Sequence, residues 1–524
     1  MRSSVTIPAV VAALVPWLLY CSTASAQNQN QNQSGAAGLL RLERSLVEVT
    51  RRVEGSVVAI ARYRLPGSNA DPDRQGPPAP RQSGSANSVD PNHPDFIPNE
   101  YGTGIVVSDP SDPTRRLVLT CFHVVRGGPL ARPSGAGGVS RQRLHVRFAN
   151  RRGCPARIFA ADPRSDLAVL ELDPTDLKQA GLTPGSLKPL AITASPTPRK
   201  GRFVLLLGNP FAIARDGSAS VGWALISNTR RQALSRPRTR EGLQRAVGSI
   251  HRLGTLLQLD TRLKHGTSGG PVLDLDGRLL GLTTSIAPRD GIETSAGFAI
   301  PFDKPFVRII DTLRKGLEVE YGFLGVQPED VSTAQLNGYN GSFEQPRAAR
   351  AARVFRGSPA QRAGIRGGDL ILAVDKHPVL GRYELMRQVE LVGPGGQLTL
   401  DLWRETTRRR VRVSVTLGKW PLPDRSGMIA SKQRHPKWRG IEIDYPTGRL
   451  RFVPDSFEFP RAVVVTSVQP GSPADEAGIE AGDFIETVAG RRAETPAEFF
   501  KTVDSRRDSV SLKLLDGRRV TLKP

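Results

Sequence analysis

Three short stretches of this sequence carry the side chains that could do chemistry together. KHGTSGGPVL (264–273) places Ser268 after Gly-Thr and before Gly-Gly-Pro. Small neighbours let a substrate backbone approach such a serine, and glycine allows the tight turn that aims successive N–H groups at a developing oxyanion. A glycine-rich turn with no catalytic part would read the same way, so the rest of the chain must supply a base and a carboxylate. His123 stands near the end of the apolar run RLVLTCFHVV (116–125), and Asp166 directly precedes the apolar run of ADPRSDLAVLEL (161–172). An aspartate leading into buried strand residues can sit in a partly desolvated loop and accept an imidazole N–H. The chemistry then assigns roles. Ser268 attacks a carbonyl, His123 takes its proton and returns it to the leaving amine, and Asp166 fixes the imidazole tautomer. Gly266, Thr267 and Ser268 are the backbone candidates for an oxyanion hole. His265 is expected to line the loop, and neither a metal nor a cofactor is expected.

These residues need elements to hold them. A chain of 524 residues has room for roughly three or four domains. Its 52 glycines and 42 prolines, with 6% aromatics, suit β-rich domains joined by turns. SVVAIARY (56–63), GTGIVVS (102–108) and 116–125 read as strands, and 39–53 as a helix with Leu40, Leu46 and Val49 on one side. Residues 64–100, crowded with Pro, Gly, Ser, Asn and Asp, read as a long insertion between strands. Residues 230–250 form a basic loop.

The N-terminus reads as an export signal. Arg2 precedes an apolar run over 7–20, and Ala24-Ser25-Ala26 gives a small-x-small site. The apolar run is short for a membrane span of about 20 residues. Cleavage after Ala26 and a soluble exported product are expected, followed by a polar tether over 27–37. Cys121 and Cys154 then remain, either bridged or as two buried thiols. The formal charge of +23 permits weak association with anionic surfaces. Its arginines are scattered and accompany no nucleic-acid motif, so no specific nucleic-acid partner is expected.

The second half contains a repeat. RGSPAQRAGIRGGDLILAVDKHPV (356–379) recurs as QPGSPADEAGIEAGDFIETVAGRR (469–492). Each copy resembles a PDZ domain, which adds an extended chain end as a strand and receives its carboxylate on loop N–H groups. Phe323, Leu324, Gly325 and Val326 occupy the expected carboxylate loop of the first copy, and Arg439–Glu442 that of the second.

Taken in order, LTCFHVV, DPRSDLAVLEL, LLLGNP (205–210), LDTRLKHGTSGGPVLDLDGRLLGL (259–282) and GFAIP (297–301) resemble the HtrA (Deg) family of exported serine proteases. The resemblance implies a mainly β fold: a trypsin-like double β-barrel with the triad in its cleft, followed by two PDZ domains. The domain map is then a signal peptide over 1–26, a protease domain over 38–315, PDZ domains over 316–420 and 438–524, and a linker over 421–437. It also implies that Leu263, Thr283, Thr284 and Ser285 line a substrate pocket suited to small or medium aliphatic side chains. By the same resemblance the chain would be a trimer-based homo-oligomer in the periplasm. It would cut unfolded or damaged envelope proteins and bind their C-termini through the PDZ domains. A proteolytically inactive chaperone or PDZ scaffold is the alternative. Two stretches depart from the family: Cys121-Phe122 where Asn-Ala is common, and Lys264-His265-Gly266-Thr267 where Asn-Pro-Gly-Asn is common.

Overall fold

The computed structural model describes residues 37–64, 98–126, 142–195, 198–209, 217–232, 248–284, 296–339, 341–422, 427–453 and 458–524, with isolated positions 90, 91, 93, 96 and 425. The signal, the tether before residue 37, most of the 64–100 insertion, 233–247 of the basic loop and Ser285 lie outside the described residues.

Six antiparallel strands make the first barrel: β1 (Val57–Arg64), β2 (Glu100–Ser108), β3 (Arg116–Cys121), β4 (Gln142–Phe148), β5 (Gly153–Asp162) and β6 (Leu167–Leu172). They run in the order β5-β4-β1-β2-β3-β6, and β5 pairs with β6 to close the ring. The sequences RLVLTC and LAVLEL are leucine- and valine-rich and almost wholly buried. One face of each strand fills the barrel while the other packs on neighbouring elements, so the usual polar alternation is lost. The helix Lys304–Arg314 supplies part of that outer packing, burying Phe306, Ile309, Ile310 and Leu313 at helical spacing, with Asp303 capping its start. Each such side chain contributes roughly 1.5–3 kcal/mol by leaving water. The helix over 37–53 buries Val49 and Val53 in the same core, whereas Leu39 and Leu40 stay exposed.

The second barrel is built from β7 (Phe203–Gly208), β8 (Ser220–Arg231), β9 (Leu256–Leu259), β10 (Pro271–Leu273), β11 (Leu279–Thr284) and β12 (Gly297–Pro301). It closes in the order β10-β11-β12-β9-β8-β7 around a core that includes Val204, Ile226, Leu257 and Leu280.

Two further domains repeat one plan. In the first, strands 326–331, 348–354, 370–374, 397–404 and 409–416 form a sheet in chain order, and 441–444, 463–468, 484–488, 510–514 and 519–522 do so in the second. The repeated Gly-Ser-Pro explains itself. Ser358 and Ser472 cap the short helices Pro359–Arg362 and Pro473–Glu476, with proline in the first turn. Each domain keeps its own core, centred on Ile371 and Leu400 in one and on Ile485 and Phe499 in the other.

The expected linker over 421–437 is more than a connection. Ile429 and Ala430 pair antiparallel with Ala161 and Ala160 of β5, adding a strand to the first barrel's sheet. Nearby, the buried Lys419 ammonium lies 3.4 Å from Glu318, 3.0 Å from Glu320 and 3.1 Å from Asp444, tying the two PDZ domains to the segment that leaves the protease domain.

Candidate active site

Strand register brings the first two catalytic candidates together. Thr120 pairs with Ala168 and Cys121 with Leu167, so the residues just after β3 meet those just before β6. Phe122 N–H donates to the Asp166 carbonyl (2.9 Å), and His123 N–H donates to Asp166 Oδ1 (3.0 Å). The imidazole Nδ1 lies 3.0 Å from Oδ1 and 2.9 Å from Oδ2 of the same carboxylate. Asp166 itself adopts φ 54°, a left-handed conformation that aspartate tolerates better than most residues.

The Asp166 carboxylate is out of solvent, whereas the His123 side chain is 36% exposed on the cleft side. Burial pushes the Asp166 pKa up, but the His123 charge and the hydrogen bonds from its ring and backbone outweigh that, and the carboxyl sits below its ordinary value. Burial likewise opposes charging of His123. The Asp166 carboxylate overcomes it, leaving the imidazole above its ordinary pKa.

Thr284 Oγ1 donates to Asp166 Oδ2 at 3.0 Å, so the carboxylate is held from a second side. This residue was expected to line a substrate pocket. Its side chain is buried and committed to the triad aspartate, because β11 runs directly behind the loop that carries Asp166. Thr283 is also turned away from a pocket: its hydroxyl donates to the Thr267 carbonyl (2.6 Å) and accepts from Gly270 N–H (3.1 Å). Leu263 is partly buried and packs against the second barrel's core and Gly297.

Ser268 is pinned by its backbone. Its carbonyl accepts from Thr103 N–H (2.8 Å), and the following Gly269 N–H donates to the Thr283 carbonyl (2.8 Å). A Cβ placed on Gly102 would lie 2.5 Å from Val124, the neighbour of His123, and 3.2 Å from the Ser268 carbonyl, so both candidates flank one point of β2. Gly266 has φ 95°, and a Cβ there would approach the Asn209 carbonyl to 2.3 Å and the Tyr101 ring to 2.7 Å. Only glycine fits that turn. Thr267 differs from the oxyanion role expected of it, since its N–H donates to the Lys264 carbonyl (3.1 Å) within the loop. His265 lies on the rim, edge-on to Tyr101 at 4.7 Å and 59% exposed.

Cys121 and Cys154 are two separate buried thiols. Cys121 sits beside the triad, with a ligand-capable atom within 4.8 Å of those of His123 and Asp166. Burial and the Asp166 charge raise its pKa well above the ordinary value, which keeps it a neutral thiol, and Sγ–H donates to the Thr283 carbonyl at 3.4 Å. With Nδ1 of His123 already facing Asp166, the cluster reads as an imidazole–carboxylate pair with a packed thiol beside it.

In the repeat, Phe323 packs edge-on against Trp420 and Phe459, the Leu324 carbonyl accepts from Ala360 N–H, and the Gly325 carbonyl from Phe355 N–H. Val326 begins the strand Val326–Val331 and packs against the domain core. Gly325 and Gly440 both have positive φ and both press against the capping serine of their own domain, Ser358 or Ser472.

The families whose models match agree with this architecture. A family described as "Trypsin-like peptidase domain" matches residues 102–282, and families described as "PDZ domain" match 322–415 and 464–516. A relative from Brucella suis biovar 1 (strain 1330), named "Probable periplasmic serine endoprotease DegP-like", is 29% identical over 436 residues, covering 82% of this chain and 74% of its own length. One of the same name from Hahella chejuensis is 27% identical over 419 residues, 79% of this chain and 77% of its own. Among solved structures, "HtrA-type protease AlgW with tripeptide" matches with 23% identity and TM-score 0.48, over 72% of this chain and 99% of that one.

Proposed function

We propose that this chain, whose trypsin-like peptidase domain and two PDZ domains are similar to those of DegP-like serine endoproteases, is a serine endopeptidase of the HtrA (Deg) type that cuts unfolded or damaged proteins of the cell envelope through His123, Asp166 and Ser268. The observation that carries this reading is the two-oxygen grip of Asp166 on His123 Nδ1 at 3.0 and 2.9 Å. An Nδ1–H held this way leaves Nε2 as the base. Nε2 takes the Ser268 proton as Oγ attacks the scissile carbonyl, then delivers it to the leaving amine. Water repeats the cycle on the acyl-enzyme. Gly266 and Ser268 N–H groups receive the oxyanion, and the N–H groups of Leu324 and Gly325 receive the carboxylate of a chain end added along 326–331.

Leu263 supports a preference for small or medium aliphatic residues before the cut. The periplasmic names of the relatives support an exported protein; cleavage after Ala26 and assembly as a homo-oligomer are part of the same reading. The test is casein digestion by the mature protein and by Ser268→Ala. Wild-type cleavage with a loss of about 10⁶ in kcat for the variant is expected. A wild type that never cuts would leave a chaperone or scaffold, and cutting by the variant would remove Ser268 from its role.

A further inference from the structure

The segment between the PDZ domains lies across the back of the triad. Its Ile429–Ala430 pair seats on Ala160–Ala161 of β5, directly ahead of the Asp162–Asp166 loop. Two residues earlier, Gly427 adopts φ 79° with its Cα face against two side chains, and a Cβ there would come 2.8 Å from Phe122 Cζ and 3.2 Å from Pro163 Cγ. Phe122 is the residue before His123, and Pro163 belongs to the loop that ends in Asp166. Both ends of the segment are anchored to the stretch 316–320 that follows the helix Lys304–Arg314. Arg425 pairs with Glu318 at one end. At the other, Lys432 N–H donates to the Gly316 carbonyl at 2.9 Å, and Arg434 lies 3.4 Å from Glu320.

We propose that residues 427–432 are a positioning element for catalysis: by clamping Phe122 and Pro163 together from behind, they hold the His123 turn and the Asp166 loop in the register in which the imidazole meets the carboxylate. Neither Gly427 nor Ile429 touches substrate. Each acts through Phe122 and through β5. The fit depends on the Phe122 ring and on the absence of a side chain at 427. Without the added strand, the outer edge of β5 at 160–161 would lack its Ile429–Ala430 partner, and nothing would span Phe122 and Pro163 on that side.

This inference rests on the proposed triad, so wild-type and Ser268→Ala proteins accompany every measurement; a wild type that does not cut casein refutes the triad reading and not the clamp. The test itself is a double-mutant cycle on the full chain with Gly427→Ala and Phe122→Ala, read as kcat, KM and the acid limb of kcat/KM on a short peptide taken from a mapped casein cut. Alanine at 427 adds both a left-handed strain and a clash with the ring. The strain persists in either background, whereas the clash disappears once the ring is gone. Expected are a fall of about tenfold or more in kcat for Gly427→Ala, KM within about threefold, and an acid limb displaced to lower pH as His123 loses its carboxylate. The same change made in Phe122→Ala should cost less than about threefold. Ile429→Ser loosens the added strand without a clash, and it should lower kcat and move the limb in the same direction even if Gly427→Ala does not fold. Equal cost of Gly427→Ala in both backgrounds overturns the clamp, and so does a wild-type acid limb in a folded Ile429→Ser protein.

Discussion

Arg164 Nη2 lies 2.6 Å from Glu390 Oε2, joining the loop that carries Asp166 to the helix Arg382–Glu390 of the first PDZ domain. Both side chains are almost wholly out of solvent, at 7% and 0% exposure. The guanidinium also lies 4.2 Å over the Tyr321 ring, whose hydroxyl donates to Asp162. Removing one partner of a buried pair strands the other charge, at a cost of roughly 3–5 kcal/mol. Glu390→Ala should therefore lower unfolding stability by about that much, with Glu390→Gln milder. Denaturant melts would measure it, and limited proteolysis near 316–320 should quicken as the PDZ domain loosens.

Thr284 gives a smaller and more local prediction. Its hydroxyl supports the Asp166 carboxylate, and a hydrogen bond to a charged group is worth about 1.5–3 kcal/mol. Thr284→Val, nearly the same shape without the donor, should lower kcat by between about tenfold and a hundredfold. Thr284→Ser should recover most of it. Matched kinetics on one peptide, taken well below the melting temperature of each variant so that all are fully folded, would decide.

The pH profile follows from the direction of the His123 shift. His123 must be neutral to accept the Ser268 proton, so kcat/KM should fall as pH falls through its pKa. Burial works against the imidazolium, but Asp166 more than compensates, and the midpoint should lie above the ordinary value of 6.5. In Asp166→Asn that help is gone. The limb should move to lower pH, alongside a loss of about 10⁴ in kcat from the wrong tautomer.

His145 controls a separate, acid-side effect on stability. It is buried in β4, its Nε2 has no hydrogen-bond partner among the described residues, and burial, reinforced by the Arg147 charge, lowers its pKa to about 4. Between that value and the unfolded value of 6.5, the unfolded chain binds a proton that the folded chain refuses. Stability should thus decline as pH drops from 6.5 to about 4, by on the order of 3 kcal/mol in total, and the decline should level off below that. His145→Leu should flatten this slope in melting curves taken across the range.

How far the residues announced all this depends on the distance over which each acts. His123 and Asp166 could be picked out as partners because an imidazole and a carboxylate each abut an apolar run, and the ring nitrogen does meet that carboxylate. The Gly-Ser-Pro repeat was legible because capping and turn formation are local. Thr284 was not, since a strand threonine that supports an aspartate across the cleft looks like any other buried strand position. Arg164 and Glu390 belong to different domains, and two charges in a sequence carry no sign of being buried against each other. The strand at 429–430 is two residues long among Pro, Lys and Gly; its pairing comes from β5, whose exposed edge no local pattern reveals.

The place where Lys432 N–H meets the Gly316 carbonyl redraws the outline of the protease domain. The chain leaves that domain at Gly316, builds the whole first PDZ domain, and returns to within one hydrogen bond of its exit to lay down Ile429–Ala430 on the same sheet. Topologically the first PDZ domain is an insert, and the protease domain is discontinuous. A chain ended at 420 would lose the strand that Ile429–Ala430 adds beside β5, whereas one that bridged 316 directly to that strand would excise the first PDZ domain and keep the pairing.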